Sequence, residues 1–335
     1  MKRCVGCFLL LLSSIVAAED RLPIIDMHMH AFGARDMGPP PPLAMCTPMK
    51  SPAWDPAQPY GTQWVAMAKE PPCDDPIWSP ETDEEVVSRT IEIMERRNIY
   101  GVLSGTPGRV KAWRDAAPGR FYQGIGFQIG GPREYPVETL KKLHEAGKLD
   151  VFAEIVNQYM GIEPDDERMD AYWAMAEELE IPVGIHIGTG PPGVIYLYSP
   201  NYRARMHSPL TLEEVLVRHP RLRIYIMHAG YPMLDDLLAV MFAHPQVYVE
   251  VGIIVHTIPR PAFYRFLKGI TDAGYGNRVM FGSDQMIWPE SIERGLAVIE
   301  EAPFLDDDQI RDILYNNAAR FLRLSEEEIA RHHGR

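Results

Sequence analysis

Two histidines spaced i, i+2 close the segment Ile24-Ile25-Asp26-Met27-His28-Met29-His30. On a β-strand alternate side chains share a face, so His28 and His30 are expected to converge while Met27 and Met29 point away. Two imidazoles on one side of a strand end can chelate a divalent metal. A His-x-His pair alone is a weak signal. Its weight comes from later apolar segments that end at Glu154, His186, His228 and Asp284, all residue types that ligate metals or move protons.

Polarising a carbonyl and activating water call for a metal held by neutral imidazoles and carboxylates with a position left open. His28 and His30 would supply two ligands. His186, in Val183-Gly184-Ile185-His186-Ile187-Gly188, would supply a third, and Asp284, after Val279-Met280-Phe281-Gly282-Ser283, a fourth. The Asp284 carboxylate could also take the proton of an attacking water, combining ligand and general base. His228 ends Ile224-Tyr225-Ile226-Met227-His228 and could bind metal, polarise the substrate carbonyl or protonate a leaving group. Glu154 sits inside the apolar run Phe152-Ala153-Glu154-Ile155-Val156, where a carboxylate is costly unless it meets a cation. It could bridge two metals or serve as acid or base beside one. Arg109, Arg133, Tyr159, Tyr196 and Arg203 fall in or just after strand-end loops, where an arginine could clamp a substrate carboxylate. His207 and His256 are pocket candidates of lower rank. His144, His219, His244, His332 and His333 lie in helical or terminal stretches and are expected at the surface.

The elements that must position these groups alternate along the chain. Strands are predicted at 23–28, 100–104, 121–127, 151–156, 183–187, 223–227, 247–251 and 278–281. Helical periodicity runs over 82–98, 136–146, 165–179, 212–218, 233–242 and 261–273, and Thr82 with Glu85 fits a capping box. Eight strands, each followed by a helix or room for one, predict an α/β fold, a (β/α)₈ TIM barrel whose catalytic groups gather at the C-terminal strand ends. A doubly wound open sheet is the rival, but no Gly-rich phosphate loop follows the first strand. Between Gly33 and Pro80 lies a long insert with twelve prolines and the aromatics Trp54, Tyr60, Trp64 and Trp78. Leaving the C-terminal end of strand one, it is expected to lie over the barrel mouth as a partial lid.

The 335 residues are 46% hydrophobic, enough for one large domain with a full core. A net charge of −13 argues against nucleic acid or an anionic membrane as partner and leaves a small-molecule substrate. Residues 1–18 read as a signal peptide: Lys2 and Arg3 head an apolar run from Phe8 to Val16, and Val16 and Ala18 suit a cleavage site. Residues 19–335 would then be the barrel, secreted or periplasmic. There Cys46 and Cys73, both in the insert, are expected to pair.

The succession Asp26-x-His28-x-His30, Gly184-Ile185-His186, Ile226-Met227-His228-Ala229-Gly230 and Phe281-Gly282-Ser283-Asp284 resembles the amidohydrolase superfamily. It is most similar to the amidohydrolase-related branch, which holds lactonases and the aminocarboxymuconate-semialdehyde decarboxylase group. Asn316-Asn317-Ala318-Ala319-Arg320-Phe321-Leu322 resembles the closing helix of that branch. The resemblance implies His28, His30, His186 and Asp284 as metal ligands and His228 as a catalytic or second-metal histidine. No lysine stands in strand four where a bridging carboxylated lysine would be, and Glu154 is the nearest replacement. The implied cofactor is a divalent metal, Zn²⁺ foremost, as one or two ions. The implied reaction is hydrolysis of an ester, lactone or amide; the alternative is non-oxidative decarboxylation of an aromatic or unsaturated acid. Association into a homo-oligomer, as in many barrels of this type, stays open.

Overall fold

The computed structural model describes residues 21–335, so the leader assigned to residues 1–18 lies outside the described residues. Eight parallel strands form the frame: β1 (Ile24–His30), β2 (Ile99–Ser104), β3 (Phe121–Gln123), β4 (Phe152–Ile155), β5 (Val183–His186), β6 (Ile224–Met227), β7 (Val247–Glu250) and β8 (Val279–Met280). Regular pairing runs β1–β2–β3 and β4–β5–β6–β7–β8. Two seams join these sheets into a cylinder. Past β3, Ile125 N–H donates to Ala153 O at 2.7 Å, and Phe127 N–H to Glu154 O at 2.8 Å. Between the last strand and the first, Met27 N–H donates to Phe281 O at 2.9 Å, and Asp284 N–H to His28 O at 2.8 Å. The (β/α)₈ barrel is the fold.

Parallel strands covered on both faces read as continuous apolar runs, which is why they were visible in the sequence. Inside the cylinder Ile25, Met27, Val102, Ala153, Tyr225 and Met280 form one apolar cluster. Gly184 matters here: a Cβ would strike the Tyr225 ring, which crosses toward β1 and donates its hydroxyl to Met27 O at 3.0 Å. A second, larger cluster lies between strands and helices. Met29 belongs to it, so Met27 and Met29 end in different layers. A register shift between Asp26 and Met29 breaks the simple alternation expected of β1. The strand also runs two residues further than predicted and includes His30.

The helix Asp83–Arg97 begins at the expected cap, Thr82 Oγ1 accepting from Glu85 N–H at 3.2 Å, but the capping box is incomplete because the Glu85 carboxylate accepts from Glu81 N–H instead of Thr82 N–H. Among the helices outside the predicted ranges are Pro107–Ala116 and Ser291–Glu300. The first buries only Val110 and Trp113, too few apolar positions to show a period. His219 and His332, expected at the surface, are buried. His332 fills a gap among aromatics, stacked on Tyr100 with ring centroids 3.6 Å apart and hydrogen-bonded to the Tyr315 hydroxyl at 3.1 Å. Among the described residues no helix is long and apolar enough to cross a membrane.

The insert carries structure of its own. Ala44–Met45 pairs antiparallel with Ile77–Trp78, the helix Tyr60–Lys69 lies between them, and a disulfide joins Cys46 to Cys73. It is tied to loops beyond β5, β7 and β8. Tyr60 donates to Pro192 O at 2.8 Å, Met49 N–H to Thr257 O at 2.8 Å, and Trp288 Nε1–H to Leu43 O at 2.8 Å.

Candidate metal centre

The six proposed ligands reach the same mouth from five strands. His28 and His30 close β1 with their Nε2 atoms 3.1 Å apart. Glu154 stands within β4, His186 ends β5, His228 follows β6, and Asp284 follows β8. All six are buried. The turns that aim them are strained. Among the described residues eight non-glycine residues adopt positive φ, and five of them lie here: His228 (63°), Ala229 (50°), Ile253 (55°), Asp284 (51°) and Met286 (46°). Such backbone persists where the surrounding structure imposes it, commonly at functional sites.

The contacts resolve into two groups that meet at one carboxylate. His30 Nε2 lies 2.9 Å and His28 Nε2 3.7 Å from Asp284 Oδ1. On the other side His186 Nδ1 lies 2.9 Å from both Glu154 Oε1 and His228 Nε2. Glu154 Oε2 faces back, 3.6 Å from His30 and 3.8 Å from His28. Ligand atoms of His28, His30 and Asp284 lie within 4.8 Å of one another, as do those of His28, Glu154 and His228. His186 joins neither trio directly and reaches them through Glu154 and His228. A single His28 nitrogen cannot serve both trios at once. The buried His186 Nε2 has no hydrogen-bond partner. An unpartnered buried imidazole nitrogen of this kind fits a divalent cation.

Electrostatics point the same way. Burial alone would raise the Glu154 carboxyl, but hydrogen bonds from His186 and His28 and the charges of His28 and His30 hold it well below the usual carboxylate range. Burial likewise opposes ionisation of Asp284, yet His28 and His30 depress it. Burial opposes a charged His28, and the Asp284 and Glu250 carboxylates overcome this and push it well above the ordinary imidazole value. A place that pulls a proton onto a buried imidazole also favours a divalent cation. His228 differs: burial, then His186, bring it down to about 4, so it is neutral. Its Nδ1–H donates to Gly252 O at 2.9 Å, which leaves the lone pair on Nε2.

One functional residue escaped the sequence reading. Glu250, at the end of β7, is fully buried. Its Oε1 accepts from His28 Nδ1–H at 3.0 Å and from His228 N–H at 2.8 Å, and its Oε2 accepts from Gly252 N–H. It thereby fixes His28 with Nε2 free for ligation, a common role for the outer partner of a metal-binding histidine. A Cβ on Gly252 or Gly282 would overlap Glu250 Oε2, so both glycines make room for it. Asp26 completes the support, its Oδ1 accepting from His28 N–H at 3.0 Å and Ser283 N–H at 2.9 Å, and burial raises its carboxyl to about 7. Glu250 could have been found by the rule that picked the others, a ligand-type residue at a strand end.

The centre opens into a cavity of about 1100 Å³. Of the predicted substrate contacts, Arg109, Arg133 and Tyr159 line it. Arg109 is ion-paired with Asp36, and the Tyr159 ring lies 4.8 Å from that of His186. Tyr196 and Arg203 are not on its wall. Tyr196 packs against Trp54 of the insert, and Arg203 donates to Pro200 O and Tyr202 O. Nor do His207 and His256 line it. His207 Nε2 meets the Tyr202 hydroxyl at 2.6 Å, and His256 Nε2–H donates to Ser283 O at 2.9 Å, beside Asp284.

Comparison with known proteins gives a match between residues 25–324 and the family model described as Amidohydrolase. Among solved structures, an uncharacterised TIM-barrel protein of Bordetella bronchiseptica aligns over 94% of this chain and all of its own, at 18% identity and TM-score 0.61. A probable 2-pyrone-4,6-dicarboxylic acid hydrolase of Acinetobacter baumannii, with citric acid bound, aligns over 90% of this chain and all of its own, at 14% identity and TM-score 0.56. A 2,6-dihydroxybenzoate decarboxylase, complexed with 2,6-dihydroxybenzoate, aligns over 70% of this chain and 87% of its own, at 13% identity and TM-score 0.50. A curated relative, protein fluG of Emericella nidulans, is 22% identical over 161 residues, and the match spans 18% of that protein's length.

Proposed function

The chain belongs to the amidohydrolase family, and from that premise we propose a metal-dependent hydrolase of an ester, lactone or amide bond in a small molecule. The observation that carries the proposal is the approach of His28, His30 and Asp284 ligand atoms to within 4.8 Å of one another in a buried mouth, beside Glu154 and His228. His28, His30 and Asp284 would hold one divalent ion, Zn²⁺ by its preference for imidazole and carboxylate. Glu154, His186 and His228 would share it or hold a second. When bound, such an ion acts as a Lewis acid toward the carbonyl and makes water acidic enough to attack near neutral pH.

The chain's own groups do the rest. Asp284, buried and held ionised beside His28 and His30, takes the proton of the attacking water and passes it to the leaving group. His228 enters as a neutral imidazole with its lone pair on Nε2, which suits ligation and offers no N–H there to a carbonyl oxygen. Tyr159 and Arg133 on the cavity wall orient the substrate, Arg133 through any carboxylate it bears. Export is part of the proposal, supported by the leader-like residues 1–18 and by the Cys46–Cys73 disulfide.

Arg133 favours a second reading, decarboxylation of an organic acid. Its guanidinium lines the cavity and has no carboxylate partner among the described residues, so it could hold the acid group that departs. A turnover assay in ¹⁸O-labelled water separates the two. Hydrolysis puts solvent oxygen into the acid product without release of CO₂, and decarboxylation does the reverse. A substrate turned over equally well after complete metal removal would end both.

A further inference from the structure

The wall of the cavity speaks to the substrate. At about 1100 Å³ it lies just above the usual range for drug-sized ligands, about 300–1,000 Å³. Its floor holds His30, Glu154, His186 and Asp284. Above the floor the character changes. From the insert come Met45, Met49, Met67 and Trp64, and from the loops after β7 and β8 come Ile253 and Met286. Thioethers are polarisable and adaptable, offer no N–H or O–H, and suit apolar or aromatic bodies of irregular outline.

Fixed charge on this wall is sparse. Arg109 is already neutralised by Asp36. Lys50 is exposed. Arg133 therefore stands as the half-buried cation without an anionic partner among the described residues. Its guanidinium lies against Gly126, just beyond the end of β3. A small polyacid would need several such cations and would leave the methionine wall in contact with water.

We infer that the substrate is amphipathic, a bulky apolar or aromatic body bearing a single acidic group. The body seats beneath the insert, the acid meets Arg133, and the labile carbonyl reaches the floor. This rests on the proposed reading of the cavity as the substrate chamber and names the class of molecule that fills it.

The test is a binding experiment on the metal-free full chain, with no turnover, using 8-anilinonaphthalene-1-sulfonate as an apolar anionic probe. Saturable binding of one probe per chain is expected. Arg133→Leu should weaken it about tenfold, the loss of a charge-assisted contact, while leaving the neutral probe N-phenyl-1-naphthylamine unaffected. Met49→Asp should weaken both probes, because it puts a charge on the apolar wall. Decanoate should displace the sulfonate at least about a hundredfold better than citrate, given its buried methylenes. Absence of saturable binding, indifference to Arg133→Leu, or citrate outcompeting decanoate would each overturn the inference. If Met49→Asp does not fold, the Arg133→Leu comparison still decides. Probe binding with no hydrolysis of any ester or lactone would defeat the proposed reaction and leave the ligand class standing.

Discussion

Replacing Glu250 by Gln keeps volume and shape and removes one acceptor from a site where each acceptor has a partner. Oε1 serves His28 Nδ1–H at 3.0 Å and His228 N–H at 2.8 Å, and Oε2 serves Gly252 N–H. An amide has a single acceptor oxygen. In one orientation its NH₂ opposes Gly252 N–H, leaving a buried donor unsatisfied at about 1–3 kcal/mol. In the other it faces His28 Nδ1, which forces the His28 proton onto Nε2, the atom turned toward His30 and Asp284. The second orientation blocks ligation through Nε2, and the first leaves Nε2 free but replaces a carboxylate by a neutral acceptor, so the imidazole is a weaker base. Losses of such outer partners weaken metal binding about 10–100-fold, equivalent to about 1.4–2.7 kcal/mol. The assay is competition for Zn²⁺ against a chromophoric chelator, with circular dichroism and thermal melting run in parallel. A Glu250→Gln protein that folds and binds Zn²⁺ within about twofold of the parent would refute the reasoning.

Chelation should abolish hydrolysis, and added Zn²⁺ should restore it; activity persisting in protein shown metal-free by mass spectrometry contradicts this. Asp284→Asn should lower kcat by about 100-fold or more, as expected for loss of a general base, while binding of the apolar probe to the metal-free chain stays unchanged. Cys46 and Cys73 are 27 residues apart, and opening that loop by Cys73→Ser should cost the insert about 3.5 kcal/mol on loop-closure grounds. Faster proteolysis within residues 33–80, measured by mass spectrometry, reports it. His332 supplies a pH effect. Burial and Arg331 lower it to about 4, and it faces Tyr100, Tyr122 and Tyr315, with Glu328, His333 and Arg120 nearby. Its folded pKa lies below the unfolded value near 6.5, so its stabilising contribution is whole above pH 6.5 and drains away as pH falls toward 4. Chemical denaturation of the parent and His332→Phe at pH 7.5 and 4.5 should show their difference changing by about 2 kcal/mol. A constant difference would show that His332 does not titrate there.

The barrel was legible because strands buried on both faces declare themselves as apolar runs, and a ligand-type residue at the end of such a run stands out. His28, His186, His228 and Asp284 were found this way. Glu250 obeys the same rule in Val247-Tyr248-Val249-Glu250, but one acidic residue before a turn also reads as a cap. Nothing local marks it as the acceptor for a histidine 222 positions away. The helix Pro107–Ala116 was hidden by its short buried stripe. Tyr196 and Arg203 lie in an irregular stretch after β5, where side-chain direction follows from packing against Trp54 and local carbonyls, not from any period. His332 was misjudged because a terminal position says nothing about the aromatic gap it fills.

The hydrolase reading requires these side chains to hold an ion. Metal content of the purified full chain by mass spectrometry, with anomalous X-ray diffraction at the metal edge, addresses it directly. The expected result is one or two divalent ions per chain, with peaks within bonding distance of His28, His30 and Asp284, lost in His28→Ala. A folded protein that takes up no stoichiometric ion from excess Zn²⁺ would contradict the account at its root.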